Sequence, residues 1–183
     1  VGASLGADAL NAGVRAGIIG FLLVVAFLIF WYRLQGAIAS VSLVLYVIFM
    51  LTAFKLIPVT LTAAGIAGFI LTIGMAVDAN ILIFERIREE RARGKSREEA
   101  VQEGFNRAWP SIRDSNISSM LTAVILFWIG TSLVKGFALT FGVGVIISMI
   151  TAISISRTFL FALSSKKDTA FMNFLYSSGL RKQ

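Results

Sequence analysis

Cysteine and histidine are both absent from the 183 residues. Without cysteine there are no disulfides and no thiolate metal sites. Without histidine the chain lacks the commonest metal ligand and the usual proton shuttle near neutral pH. Charge is scarce as well: 15% of residues are charged and 57% are hydrophobic. Soluble domains usually carry about a quarter charged residues. Mean hydropathy is +0.83. This composition argues against a soluble enzyme. No phosphate-cradling glycine loop, nucleophile–base pair or metal-ligand cluster appears, so no enzyme, metal or cofactor is expected.

What is present is long apolar runs bounded by single charges. Charge-free stretches cover Ala16–Tyr32, Leu34–Phe54, Leu56–Val77, Ser115–Val134 and Gly136–Ser156, with Ala79–Phe84 continuing the third beyond Asp78. Each approximates the ~20 residues that carry a helix across hydrocarbon. The alternation of a barrel strand is missing, so the spans are read as helices. The predicted fold is all-α: a polytopic membrane helix bundle with five transmembrane helices. A secretory signal peptide does not fit the first run, which is too long and lacks a small-residue cleavage site. Trp31 and Tyr32 close that run as interfacial anchors.

Basic residues set an orientation. With the Glu85–Arg113 loop placed in the cytoplasm, fourteen Lys/Arg lie inside and three outside, namely Arg15, Lys55 and Lys135. The positive-inside rule then puts the N-terminus outside and the C-terminus in the cytoplasm. Residues 1–12 are expected to end an extracytoplasmic region and 13–163 to form the bundle. The cytoplasmic loop covers about 85–113, and 164–183 make a cytoplasmic tail or linker. An outside N-terminus beginning without Met suggests a piece of something larger.

Glu85–Arg93 is predicted to carry the third helix into the cytosol, where Gly94 breaks it. Ser96 and Glu99 have the spacing of a capping box. Ala100, Val101, Gly104, Phe105 and Ala108 share one side of the helix that follows. Trp109–Pro110 is expected to end it, leaving a short amphipathic helix against the interface or the next span. Eight basic residues in this loop are offset by six acidic ones, too weak a field for nucleic acid.

Asp78 is the one ionisable residue well inside an apolar span. Acids at that depth face a bundle interior, a partner or a water path. A carboxyl there can sit neutral and ionise when water or a cation arrives, as ion coupling requires; a structural acid bonded across helices is the alternative. Gly65, Gly68 and Gly74 precede it, and Ala64, Gly68 and Thr72 make a small-residue face for helix packing. Asn80 adds an amide nearby. Glu85 lies two turns on, either at the inner end of a proton route or paired with Arg86 or Arg88. Asn116 and Ser119 are read equally as packing or as the lining of a polar path. Thr140, Gly144, Ser148 and Thr151, with Thr158 two turns on, form a second small polar stripe.

Several blocks together resemble the SecD side of the SecDF family, within the resistance-nodulation-division superfamily. They are Gly65-Ile66-Ala67-Gly68, Val77-Asp78-Ala79-Asn80-Ile81-Leu82-Ile83 and Glu85-Arg86-Ile87-Arg88-Glu89-Glu90. Asp114-Ser115-Asn116-Ile117-Ser118, Gly130-Thr131 and Lys135–Thr140 follow in the same order. The resemblance covers roughly residues 1–163. It implies spans two to six of a six-span half, in the inner membrane of a bacterial or archaeal cell. It also implies that Asp78 is the ion-coupling aspartate, for H⁺ or alternatively Na⁺. The implied partners are a SecF-like subunit, the SecYEG channel, a preprotein substrate and the lipid bilayer. The implied function is late preprotein translocation driven by the ion gradient. Half of a related exporter of small molecules or lipids, or a membrane scaffold, are the other readings.

Overall fold

The computed structural model describes residues 3–57 and 62–164. The predicted tail falls almost wholly on residues outside that set. Every element among the described residues is helical. In chain order they are α1 (Ala3–Leu56), α2 (Ala63–Ala92), α3 (Arg97–Ile129), α4 (Ser132–Thr151), a π-turn (Ala152–Ser156) and α5 (Arg157–Ser164). Three segments are long and apolar enough to cross a membrane: Leu10–Leu56, Ala63–Ala92 and Ser132–Ala162.

The first of these is not one rod. Arg33 has φ 48° and ψ −114°, outside helical space. Gly36 beyond it lies against the Leu28 carbonyl, so that a Cβ there would collide with it. Residues eight apart in a continuous helix are separated by ~12 Å. The chain therefore folds back at Arg33 into two helical arms, and Gly36 has no Cβ because backbone meets backbone there.

The stretch Ser115–Val134, expected as one span, is not among the three. Helix α3 stops at Gly130, and only residues 115–129 of it are free of charge. That length rises ~22 Å, short of a ~30 Å hydrocarbon core.

Pro110 does not end a helix. α3 runs unbroken through it for 33 residues. The reason is the continuity of its buried face: Ala100, Val101, Gly104, Phe105 and Ala108 before the proline, then Ile112, Asn116 and Ala123 after it. Packing along that single stripe outweighs the ~3 kcal/mol that an interior proline costs. The expected short amphipathic helix is thus the first half of α3. It packs back on α2 rather than lying alone: a Cβ on Gly104 would be 2.7 Å from the Ile87 backbone nitrogen.

A four-residue connection joins α2 to α3. Gly94 supplies the turn at φ +86°, and the Ser96–Glu99 capping box opens α3 in full. Hydrogen bonds from the Ser96 hydroxyl and amide hold the Glu99 carboxyl below its usual range. Below the turn, Glu90 draws in three cations. Arg93 lies 2.7 Å away and Lys95 2.6 Å, and Arg107 reaches it from α3. These cations, rather than depth in the protein, seal the carboxylate from solvent.

α2 is the central helix. The second arm of α1 runs antiparallel to it, with Tyr46 against Thr72 and Phe54 against Phe69, and Tyr32 at the reversal packs against Phe84. α4 runs parallel to it along a seam of small residues. A Cβ on Gly68 would meet Thr140 and the Phe137 carbonyl, and one on Gly144 would meet Thr72. The core is continuous from Leu28 through Ile83 and Phe84 to Leu160.

Candidate functional site

Asp78 does not point into this core. From its start to Asp78, the exposed positions of α2 are Ala63, Ala67, Leu71, Gly74 and Asp78. Their spacing of three and four places them on one strip along the helix. Leu71 is 49% exposed on it. Among the described residues Asp78 makes no hydrogen bond or ion pair. The strip thus presents the Asp78 carboxyl, one turn beyond Gly74, on a face left exposed among the described residues.

Gly74 belongs to this strip. Read from sequence as a helix-packing glycine, it meets no other helix among the described residues: a Cβ on it would have nothing within 4 Å. Gly65 and Gly68 face the other way, onto α4. The three glycines sit on two sides of the helix because the steps from Gly65 and Gly68 to Gly74 do not match the ~3.6-residue turn.

The supporting residues are likewise divided. Asn80, only two positions from Asp78, is turned inward and buried. Its Nδ2 donates to the Ala76 carbonyl at 3.1 Å, and its Oδ1 accepts from Ser156 at 2.5 Å. Asn116 is buried and donates to the Ile112 carbonyl at 2.8 Å. The Ser119 hydroxyl bonds back to Ser115 at 3.0 Å. Ser115 and Thr122 do the same to Ile112 and Ser118. Such back-bonding satisfies a hydroxyl within its own helix. Glu85 accepts from the Tyr32 hydroxyl at 3.0 Å and lies 3.6 Å from Arg88. It is ~10 Å of helix rise beyond Asp78. The geometry therefore brings Asn80 together with Ser156, and Glu85 with Tyr32 and Arg88. It joins none of them to Asp78.

Two buried contacts were not foreseen from sequence. Tyr46 donates to Thr72 at 2.6 Å, tying the second arm of α1 to α2. Ser42, Ser156 and Asn80 form a second link among three elements. Helical spacing from Thr151 pointed to Thr158. In the structure the buried positions run Thr151, Ser156, Leu160, and Thr158 is exposed. The π-turn inserts the extra residue that moves Ser156 into the core. Among the described residues no group of acidic side chains could hold a metal ion.

Helical in every element among the described residues, strongly apolar, and with three segments long and apolar enough to cross a bilayer, the chain has the make-up of a membrane protein. Residues 1–166 match the family described as protein export membrane protein SecD/SecF, C-terminal. The chain belongs to that family. It is 54% identical over 164 residues to the protein translocase subunit SecD of Thermobaculum terrenum, a match that covers 87% of this chain and 32% of that one. It is 50% identical over 163 residues to SecD of a Synechocystis species, covering 89% and 34%. The fold matches a crystal structure of a Thermus SecDF, a translocon-associated membrane protein. The TM-score is 0.83 at 35% identity, covering 91% of this chain and 25% of that one. A SecDF in a super-membrane-facing form gives a TM-score of 0.84 at 37% identity, covering 90% and 23%. The chain spans about a third of the length of the curated relatives it matches.

Proposed function

We propose that the chain is the membrane part of a Sec protein-export subunit, in which Asp78 couples a proton gradient to late preprotein translocation. The observation that carries this is the uncovered Asp78 strip. A carboxyl with no partner among the described residues, at membrane depth, is costly unless another helix or water completes the site. Gly74, one turn before it on the strip, allows a partner helix to approach closely. A SecF-like subunit covers the strip and SecYEG receives the work. Sodium in place of the proton is the alternative coupling ion. The isolated chain, reconstituted in liposomes, is expected to move no measurable protons, whereas the assembly with the SecF-like subunit does. Gradient-driven flux through the isolated chain would sink the reading.

The proposed topology has five crossings: the two arms of α1, then α2, α3, and α4 with α5. α3 crosses although its charge-free part is short, since the hydroxyls of its polar stretch are bonded to its own carbonyls and α2 covers its inner half. The N-terminus then lies outside and the C-terminus in the cytoplasm of an inner-membrane protein. A cysteine replacing Lys135 should react with an impermeant thiol reagent added from outside, and one replacing Lys95 should not. Labelling in the opposite sense would invert the topology.

A further inference from the structure

The link among Ser42, Ser156 and Asn80 has a direction. All three side chains are sealed from solvent, at 1%, 0% and 2% exposure. Asn80 Nδ2 donates to the Ala76 carbonyl. A flipped amide would set two carbonyl-type oxygens against each other there, so Oδ1 faces Ser156. That oxygen can only accept, and Ser156 must donate to it. A hydroxyl has one hydrogen. The 3.2 Å contact between Ser156 and Ser42 must therefore carry the proton of Ser42. The chain runs Ser42 to Ser156 to Asn80, with the Ser156 hydroxyl both giving and receiving.

Its middle member sits at the end of the π-turn, Ala152–Ser156. A π-turn holds one residue more than an α-helical turn and is often found at functional positions. Relaxing it to α-helical form turns everything on one side of it by ~100°. That rotation would carry Ser156 out of line with Asn80 and Ser42. It would also move the next residue. The Arg157 guanidinium lies 4.8 Å from the centre of the Phe105 ring, on the cytoplasmic half of α3, and 5.6 Å from that of Phe161. One change of register thus frees two contacts: one to the helix that carries Asp78, the other to the α2–α3 hairpin.

We propose that the Ala152–Ser156 π-turn is a register switch, latched by the Ser42–Ser156–Asn80 chain. In its shifted state it uncouples the α2 helix and the cytoplasmic hairpin from α5. Ser156 is a positioning residue and touches no transported ion. The proposal rests on the transport reading only for what drives the shift.

The sequence has no cysteine, so Ser42→Cys with Ser156→Cys introduces the only thiols within it. The pair is oxidised in membranes after the complex with its partner has assembled, so that folding precedes the lock. Gradient-stimulated export is expected to fall at least ten-fold on oxidation and to return with dithiothreitol. Each single variant should be unaffected by oxidant. Complete cross-linking with unchanged export would overturn the switch, as would failure of the disulfide to form. The two proposals separate cleanly. If Asp78→Asn is inactive while the lock is harmless, only the switch fails. If Asp78→Asn still responds to the gradient while the lock blocks export reversibly, the switch stands and Asp78 is not the coupling group.

Discussion

Asp78→Asn is expected to leave the chain folded, inserted and bound to its SecF-like partner, and to reduce gradient-dependent preprotein export to the level that ATP alone sustains. The first half of this expectation follows from the position of the residue. Asp78 lies on the exposed strip of α2 and makes no hydrogen bond or ion pair among the described residues. The fold of this chain therefore has nothing to lose when it is replaced. An amide has almost the same shape, and a neutral group at membrane depth is no costlier than an acid. The second half follows from chemistry, since a carboxyl takes up and releases a proton and an amide does not. Asp78→Glu keeps the titrating group but moves it by about one bond length. A misplacement near 1 Å can cost roughly a hundred-fold where geometry is exacting, so Glu should fall between Asp and Asn. The measurement is export into inverted vesicles with ATP present and the gradient imposed or collapsed. A full gradient response from the Asn variant would make Asp78 a structural acid. Loss of partner binding by that variant would do the same.

Asp78 was legible in the sequence as a candidate because a charge inside an apolar run stands out whatever the fold. Its surroundings were not. Which way a side chain points depends on the packing of α2 against α1, α3 and α4, and no run of letters states it. Asn80 and Asp78 look like neighbours in sequence, yet two steps of ~100° put them on opposite sides of the helix. Capping at Ser96 and the break at Gly94 were readable because their causes are local. The continuation of α3 through Pro110 was not, because the force that overrides the proline is a stripe of contacts with α2. The turn at Arg33 was placed by its charge alone, and the part Gly36 plays in the reversal, lying against the Leu28 carbonyl, was not read. Ser156 was hidden by a π-turn, which breaks the periodicity that sequence reading assumes.

Gly68 and Gly74 make the sharpest contrast, because both read as packing glycines and the structure sets them apart. A methyl group on Gly68 would lie 2.5 Å from the Thr140 hydroxyl and 2.9 Å from the Phe137 carbonyl. The carbonyl is backbone, and the hydroxyl is itself bonded to it at 2.9 Å, so neither can step aside. α2 and α4 must separate. Overpacking of this kind costs ~1–3 kcal/mol, more than the ~1 kcal/mol gained by exchanging glycine for alanine within a helix. Gly68→Ala should therefore lower the thermal stability of the purified protein and its accumulation in membranes. At Gly74 the same methyl group meets nothing within 4 Å. There only the helix-propensity gain acts on the chain by itself, and Gly74→Ala should be neutral or slightly stabilising. If a partner helix closes on the Asp78 strip, the added bulk lies in its path. Gly74→Leu, larger still, should then leave the chain folded but weaken co-purification of the SecF-like subunit at least ten-fold. Unimpaired association of Gly74→Leu would mean that the strip faces lipid or water instead, and the carboxylate of Asp78 would have to find its counter-group elsewhere.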